Sequence, residues 1–259
     1  MYKTILFELS KDILKITLNR PDVYNAFNEE MLLELLDAFK KANSDDSVRC
    51  VILTGAGKAF CSGQDLKDFN EKKLTFKEAL EQRYNPLIKL ISGLPKPVIC
   101  ALNGVAAGAG LSLALACDYR IAVESAFLIE VFINVGLVPD SGSSFFLPRL
   151  IGYARAFEMC AIGDKLSAVE AKEIGLVNKI VSNNNLLSKS ADIVAKNFAG
   201  KPTKAIGMIK DLLNKSFESN LEQVLELESS YQEQAGNTQD FKEGIESFLE
   251  KRKSKFKGK

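Results

Sequence analysis

The chain has 259 residues, enough for one large domain with its own core, or for one domain and a small appendage. Apolar residues make up 46% and charged residues 26%, and a net charge of +1 gives no global field that would select nucleic acid or an acidic partner. Histidine is absent, which excludes Ser-His-Asp and Cys-His triads and HExxH zinc sites, so proton transfer near neutral pH falls to Asp, Glu, Lys, Tyr or Cys.

Residues 13–19 alternate, with Leu14, Ile16 and Leu18 against Lys15, Thr17 and Asn19, and this predicts a half-buried strand. Ile5 to Leu9 is expected to pair with it as a hairpin. Asn19-Arg20-Pro21 reads as a turn. A helix opens at Asn28-Glu29-Glu30, a capping side chain followed by two acids at the positive end of the dipole. Its apolar stripe is Met31, Leu32, Leu35, Leu36 and Phe39. Val48 to Thr54 reads as a strand that ends in Gly55-Ala56-Gly57, residues 75–92 as a helix, and Val98 to Leu102 as a strand. The cluster from Gly104 to Gly110 then precedes an apolar run from Leu111 to Ala116. Strands are expected at 118–123 and 127–131, a helix at Tyr153 to Cys160, and another behind the capping box Ser167-Ala168-Val169-Glu170. This alternation from residue 48 to about 181 argues for an α/β fold.

From about residue 186 the signal is helical, with stripes such as Ile206, Ile209, Leu212, Leu213 and Leu221, Val224, Leu225. Six of the last nine side chains are basic, which reads as a solvated, frayed tail. Cys50, Cys61, Cys100, Cys117 and Cys160 form no CxxC pair and are expected to be reduced thiols of a cytoplasmic protein. The amino terminus does not read as a signal peptide, and no apolar run reaches the ~20 residues needed to span a bilayer.

Three segments could carry chemistry. Two are glycine-bearing turns after strands: Thr54 to Leu66, and Asn103 to Gly110. Neither is a P-loop, since Lys58 is followed by Ala59, and Gly55-Ala56-Gly57 is no dinucleotide fingerprint, since Phe60 stands where the third glycine belongs. Gly108-Ala109-Gly110 lies at the start of an apolar helix, where unpaired N–H groups and the dipole suit a developing oxyanion. The residue after Gly63 could supply a second N–H, and two such donors would make an oxyanion hole. The third segment holds one carboxylate, Asp140, among Phe132, Val138, Phe145 and Phe146. Apolar surroundings would raise its pKa. Taken alone, Asp140 could equally cap the following helix.

Together the three segments resemble the crotonase family, the enoyl-CoA hydratases and isomerases, over essentially the whole chain. The matching stretches are Leu18-Asn19-Arg20-Pro21 with Asn25-Ala26-Phe27, Val51 to Gly55, Ala59 to Leu66, Lys96-Pro97-Val98 through Cys117-Asp118, and Gly136-Leu137-Val138-Pro139. The resemblance implies a spiral of ββα turns over residues 1–199 and a helical oligomerisation region over 200–259. It also implies homotrimers or hexamers and an acyl-CoA substrate, with coenzyme A part of that substrate and no cofactor or metal. It places the oxyanion donors on the backbone of Gln64 and Ala109. It assigns Tyr24, Ala26, Gln64, Asp65 and Leu66 to coenzyme A, and Ser112, Phe132, Val138 and Phe145 to the acyl pocket.

The chain departs from the hydratase pattern. Where hydratases carry two catalytic glutamates, Ser112 and Phe132 stand here. Adding water needs one group to activate it and another to manage the α-carbon proton, and Asp140 is the single pocket acid expected. One carboxyl can carry out a 1,3-proton shift through an enolate. An acid within Leu137-Val138-Pro139-Asp140-Ser141-Gly142, followed by Phe146-Leu147-Pro148-Arg149-Leu150, resembles the 2-(1,2-epoxy-1,2-dihydrophenyl)acetyl-CoA isomerases of phenylacetate catabolism, which are similar to the Δ3,Δ2-enoyl-CoA isomerases. That branch usually shows Gly-Gly where this chain has Gly142-Ser143. The leading expectation is an isomerase with Asp140 as acid and base. The alternatives are a hydratase of fatty-acid β-oxidation and a non-catalytic acyl-CoA- or RNA-binding protein on the same fold, the last supported only by the basic tail. No nucleic-acid or membrane partner is expected.

Overall fold

The computed structural model describes residues 2–68 and 74–259. β1 (Ile5–Ser10) and β2 (Ile13–Leu18) form the expected antiparallel hairpin, and Leu14, Ile16 and Leu18 all face the core. β2 then pairs in parallel with β3 (Cys50–Gly55), which opens a repeating pattern. β3 leads to β4 (Ala59–Cys61), β5 (Val98–Leu102) to β6 (Val105–Ala107), and β7 (Tyr119–Val123) to β8 (Phe127–Ile129). Each pass lays one strand into a six-stranded sheet, ordered β1-β2-β3-β5-β7-β10, and one into a four-stranded sheet, ordered β4-β6-β8-β9. β9 is Leu166–Ser167 and β10 is Lys179–Val181. Neighbouring passes pair in parallel and helices follow the second strand, so the chain climbs as a ββα spiral. β5 is buried along its whole length, as a central parallel strand requires.

α1 (Glu29–Ser44) starts where expected, with the Asn28 side chain accepting from Met31 N–H at 3.0 Å. The helix expected at 75–92 has three parts: α2 (Phe76–Ala79), a π-turn (Leu80–Tyr84) and α3 (Asn85–Gly93). Pro86 has no N–H to continue an α-ladder, and Asn85 N–H reaches back to Leu80 instead. α4 (Ala109–Leu115) is entirely buried. The strand expected over 127–131 stops at Ile129, and a 3-10 turn covers Val131–Val135. α5 (Ser143–Ile151), α6 (Tyr153–Ile162) and α7 (Ala168–Glu173) follow, the last behind the expected capping box at Ser167 and Glu170.

α8 (Asn184–Ala199) buries Leu187, Ala191 and Ala195 against the large sheet. α9 (Thr203–Ser216), α10 (Leu221–Gly236) and α11 (Gln239–Leu249) complete the helical carboxyl-terminal region. The frayed tail expected there is not what forms. Buried Asp240 accepts from Lys257 and Gly258 N–H at 2.6 and 2.7 Å, and Arg49 donates to the Phe256 carbonyl at 2.8 Å. A buried carboxylate with backbone donors orders the tail despite its charge. Cys50, Cys61, Cys100 and Cys117 are buried, Cys160 is half-buried, and all five are free thiols. Among the described residues no helix is long and apolar enough to cross a membrane.

Candidate active site

Two buried asparagines set the first glycine turn. Asn25 Nδ2 donates to the carbonyls of Ala56 and Ala59, and Asn103 Nδ2 donates to those of Gly57 and Ala59. Gly55 N–H donates to Asn103 Oδ1 at 3.0 Å, so β3, β5 and the turn between β3 and β4 are bolted together by side-chain amides. The turn then enters residues 62–65. Phe27 N–H donates to Gly63 O at 2.7 Å and Asp65 N–H to Phe27 O at 2.9 Å. This is a parallel bridge centred on Gln64, and it aims the Gln64 N–H away from Phe27.

Ala109 is the first residue of α4, so its N–H has no acceptor within the helix. The two turns touch: a Cβ at Gly63 would lie 2.9 Å from Ala107 O and 3.6 Å from Ala109 N, and one at Gly110 only 2.5 Å from Cys61 O. Among the described residues neither the Gln64 nor the Ala109 N–H has a backbone acceptor. Both residues line one cavity of about 180 Å³, which also takes in Asp140.

Asp140 sits at the end of the loop between the 3-10 turn and α5. Ser141 and Gly142 both have positive φ, 51° and 90°, and this tight double reversal precedes α5. Gly142, not Asp140, occupies the helix-capping position, and no side chain caps α5. The Asp140 carboxyl is left for the cavity. Its Oδ1 is buried with no hydrogen-bond partner. Burial pushes its pKa above the ordinary carboxyl value, with a smaller opposing pull from the Ser141 hydroxyl. Asp140 is the one carboxyl among the described residues lining the cavity.

The π-turn brings in a side chain that sequence reasoning did not single out. Tyr84 lines the cavity, and its hydroxyl donates to Gln64 Oε1. Gln64 Nε2 donates in turn to the carbonyls of Phe27 and Asp65, both at 3.2 Å. Burial holds the Tyr84 phenol well above its usual pKa, and the nearby Asp140 charge adds to the effect. Apart from Ser62 the rest of the wall is apolar: Leu66, Phe76, Leu80 and Phe132 are on it, with Val135 and Leu137 from the 3-10 turn and the loop after it.

The expected acyl-pocket residues divide. Phe132 lines the cavity; Ser112, Val138 and Phe145 do not. Val138 points to solvent at 79% exposure, and Phe145 packs its ring against the Arg149 guanidinium, 3.5 Å from ring centre to carbon. Ser112 is fully buried beneath the wall. Of the residues assigned to coenzyme A, Gln64 and Leu66 line the cavity, whereas Tyr24 is exposed nearby and Ala26 is buried. Asp65 is committed to an ion pair with Arg20 at 2.9 Å.

A second carboxyl lies behind the site. Glu130 is completely buried, and its Oε1 lies 2.8 Å from Ser143 Oγ. Its Oε2 has no partner. Ser143 Oγ lies 2.8 Å from Ser112 Oγ, which donates at 3.0 Å to the main-chain carbonyl of Asp140. Burial raises the Glu130 pKa to about 7, with Ser143 opposing and the Asp140 charge adding to it. The visible signal was one acid in the apolar run Phe127-Leu128-Ile129-Glu130-Val131-Phe132.

Residues 8–259 match the family described as enoyl-CoA hydratase/isomerase. The chain is 42% identical over 263 residues to the 1,2-epoxyphenylacetyl-CoA isomerase of Escherichia coli, covering all of both proteins. It is 35% identical over 259 residues to the crotonyl-CoA hydratase of Syntrophomonas wolfei, covering 98% of each. The crystal structure of an enoyl-CoA hydratase from Bacillus anthracis superposes with a TM-score of 0.93 at 35% identity, covering 99% of this chain and 100% of that one. The chain belongs to the enoyl-CoA hydratase/isomerase family, and its ββα spiral is the crotonase fold that the sequence resemblance implied.

Proposed function

We propose that this family member is an acyl-CoA isomerase in which Asp140 carries one proton between two carbons of the acyl group. The thioester carbonyl oxygen sits between the N–H groups of Gln64 and Ala109. Asp140, ionised, takes the proton from the carbon next to the carbonyl. The electrons move into the carbonyl, and the oxyanion hole stabilises the resulting enolate, one such donor typically contributing ~3–4 kcal/mol in the transition state. For a 3-enoyl thioester the Asp140 carboxylic acid then returns the proton to the fourth carbon, which leaves the double bond conjugated. A phenylacetyl-CoA ring epoxide passing to an oxepin is the second substrate class, and the 42% identical isomerase of Escherichia coli favours testing it.

The observation that carries this reading is Asp140 itself: the one carboxyl among the described cavity-lining residues, with one buried oxygen unpartnered and no capping role. A hydratase needs a second proton-handling group facing the same space. Glu130 is absent from that wall. Product analysis with a 3-enoyl-CoA beside a phenylacetyl-CoA epoxide tests the reading. Asp140→Asn is expected to bind acyl-CoA normally and to lose about 10²- to 10⁴-fold in kcat. Retention of most of the turnover would remove Asp140 from the mechanism. Brisk loss of the conjugated-thioester absorbance of crotonyl-CoA would favour the hydratase reading, which the 35% identical hydratase of Syntrophomonas wolfei keeps in view.

The assembly proposed is a homotrimer or a hexamer of paired trimers. Leu221, Phe248 and Leu249 are exposed on α10 and α11 of the single chain, and apolar side chains of this kind favour burial at a subunit interface.

A further inference from the structure

We infer that Glu130 is a positioning residue that works as a neutral acid: it starts a one-way hydrogen-bond chain through Ser143 and Ser112 that holds the Asp140 main chain and leaves Asp140 as the ionised member of the carboxyl pair. The inference rests on the reading of Asp140 as the proton carrier and adds the group behind it.

Hydrogen counting favours one direction. Three contacts run in series: Glu130 Oε1 to Ser143 Oγ at 2.8 Å, Ser143 Oγ to Ser112 Oγ at 2.8 Å, and Ser112 Oγ to the Asp140 carbonyl at 3.0 Å. Ser112 Oγ also lies 3.2 Å from the Gly108 carbonyl. Both carbonyls already accept a backbone N–H, Asp140 from Ser143 and Gly108 from Ser112, and the second lone pair of each can still take the Ser112 hydrogen. With the Ser112 hydrogen on a carbonyl, the Ser143 hydrogen fills the contact to Ser112. Ser143 then has nothing to give Glu130, and the hydrogen between them comes from Glu130; Ser143 donating instead to an ionised Glu130 is the arrangement that burial opposes. With Glu130 neutral, three hydrogens fill the three contacts in series, and the fourth, from Ser112 Oγ to the Gly108 carbonyl, shares the Ser112 hydrogen. With Glu130 ionised, two hydrogens face the same three, and one close pair of oxygens meets lone pair to lone pair.

The surroundings agree with the count. A carboxylate spreads its charge over both oxygens, and Glu130 Oε2 is buried with no partner. Leaving an uncharged carbonyl oxygen unpaired costs far less than leaving half a charge. No cation is ion-paired with Glu130 among the described residues. The titratable groups facing it are Asp140, from the loop before α5, and Cys160, from α6, while α4 and α5 present the hydroxyls of Ser112 and Ser143. Tyr84, from the π-turn, faces Asp140. Two neighbouring carboxyls with no ion-paired cation among the described residues resist ionising together, so one holds the proton. The serine chain gives that proton a place on Glu130. Burial accordingly lifts the Glu130 pKa to about 7.

Two consequences follow for turnover. Activity needs Asp140 ionised, so it falls on the acid side. Activity also needs Glu130 protonated, so it falls again as pH rises through about 7. The test is kcat from about pH 5 to about pH 9 for the wild type, Glu130→Gln, Glu130→Leu and Ser143→Ala. Glutamine keeps a donor toward Ser143 and cannot ionise. Glu130→Gln is expected to rescue the acid-side rate to within about two-fold of wild type and to lose the alkaline fall. Glu130→Leu and Ser143→Ala break the chain and are expected to drop kcat by about ten-fold or more below about pH 7, where wild-type Glu130 is protonated, with Km for acyl-CoA little changed. An alkaline limb that persists unchanged in Glu130→Gln overturns the inference, as does a Glu130→Leu variant equal to Glu130→Gln. Infrared difference spectra of wild type minus Glu130→Gln provide a readout without turnover. A protonated-carboxyl C=O stretch that fades as pH rises through neutrality supports the neutral acid, and a carboxylate signature at pH 6 overturns it. Loss of activity in Asp140→Asn with the protonated-carboxyl band still present separates the two claims, although the band should fade at a lower pH there because the Asp140 charge is gone.

Discussion

Buried Glu130 and half-buried Asp140 are two acids that the fold holds at a cost. Folded Glu130 has a pKa of about 7 against an ordinary 4.5, so the native state binds its proton more tightly than the unfolded chain does. The sign follows. Any stability linked to this proton is fully present below about pH 4.5 and is lost as pH rises through about 7. A displacement of that size corresponds to roughly 3 kcal/mol once both states are ionised. Glu130→Gln is therefore expected to match the wild-type Tm near pH 4.5 and to exceed it at pH 8, as read by thermal unfolding across that range. A Tm difference that does not change with pH would show that the buried carboxyl titrates as it would in water. The Asp140 carboxyl is raised in the same direction by burial, so Asp140→Asn is expected to melt no lower than wild type at neutral pH while losing its activity. Asp140 was legible in the sequence because an acid between Pro139 and Ser141-Gly142 is conspicuous. Its role was not, since capping and catalysis use the same residue type at the same place. Backbone geometry removes the capping reading: Ser141 and Gly142 turn left-handed, and the capping position passes to Gly142. Glu130 escaped notice because the reading of 127–131 as a strand gave the side chain no assigned face, while the 3-10 turn that begins at Val131 places it behind the site.

Among the elements, the two glycine turns were legible as turns and α4 as a buried helix, because their signals are local. Their contact was not, because it is made by residues nearly fifty positions apart. Gly110 marks it. A Cβ there would lie 2.5 Å from the Cys61 carbonyl oxygen and 2.8 Å from its Cβ, so even a methyl group forces α4 away from the first turn. Gly110→Ala is expected to destabilise the chain by about 1–3 kcal/mol in denaturant titration, the usual cost of overpacking. It is also expected to lower kcat well beyond what lost stability explains, because the Gln64 and Ala109 N–H groups would separate. Wild-type kcat in a folded Gly110→Ala protein would show that the two donors do not act as a pair. The π-turn at Leu80–Tyr84 is the element the sequence hid most completely. Apolar spacing over 75–92 reads as one helix, and one extra residue in a turn barely disturbs that pattern. The turn nonetheless places Tyr84 beside Gln64, so the helix after the first glycine turn contributes to the site as well as to packing.

The whole molecule divides its stability between a spiral built on parallel pairing and a helical region that leaves large apolar side chains in solvent. α10 has no buried residue at all in the single chain, although its stripe of Leu221, Val224 and Leu225 was plain in the sequence. An amphipathic helix predicts a covered face without saying whether the cover is the same chain or another. The basic tail shows the same limit in reverse. Its composition reads as frayed, yet Asp240 captures two of its N–H groups, Glu243 a third from Lys255, and Arg49 anchors it to the body through Phe256 and Lys201. Charge composition describes the side chains, and those remain outside; the backbone is fixed by one buried carboxylate that composition does not weigh. Asp240→Ala is expected to release residues 251–259 while leaving the spiral folded. Losing two charge-assisted hydrogen bonds from a buried acceptor typically costs about 1.5–3 kcal/mol each, and release of the tail to water offsets part of that. Limited trypsin digestion reads the outcome, because six of the nine tail residues are Lys or Arg. In the wild type these sites should resist cleavage relative to the exposed lysines of the body, and in Asp240→Ala the tail should be trimmed first, followed by mass spectrometry. Equal trimming rates in the two proteins would mean that Arg49 and Glu243 hold the tail without Asp240.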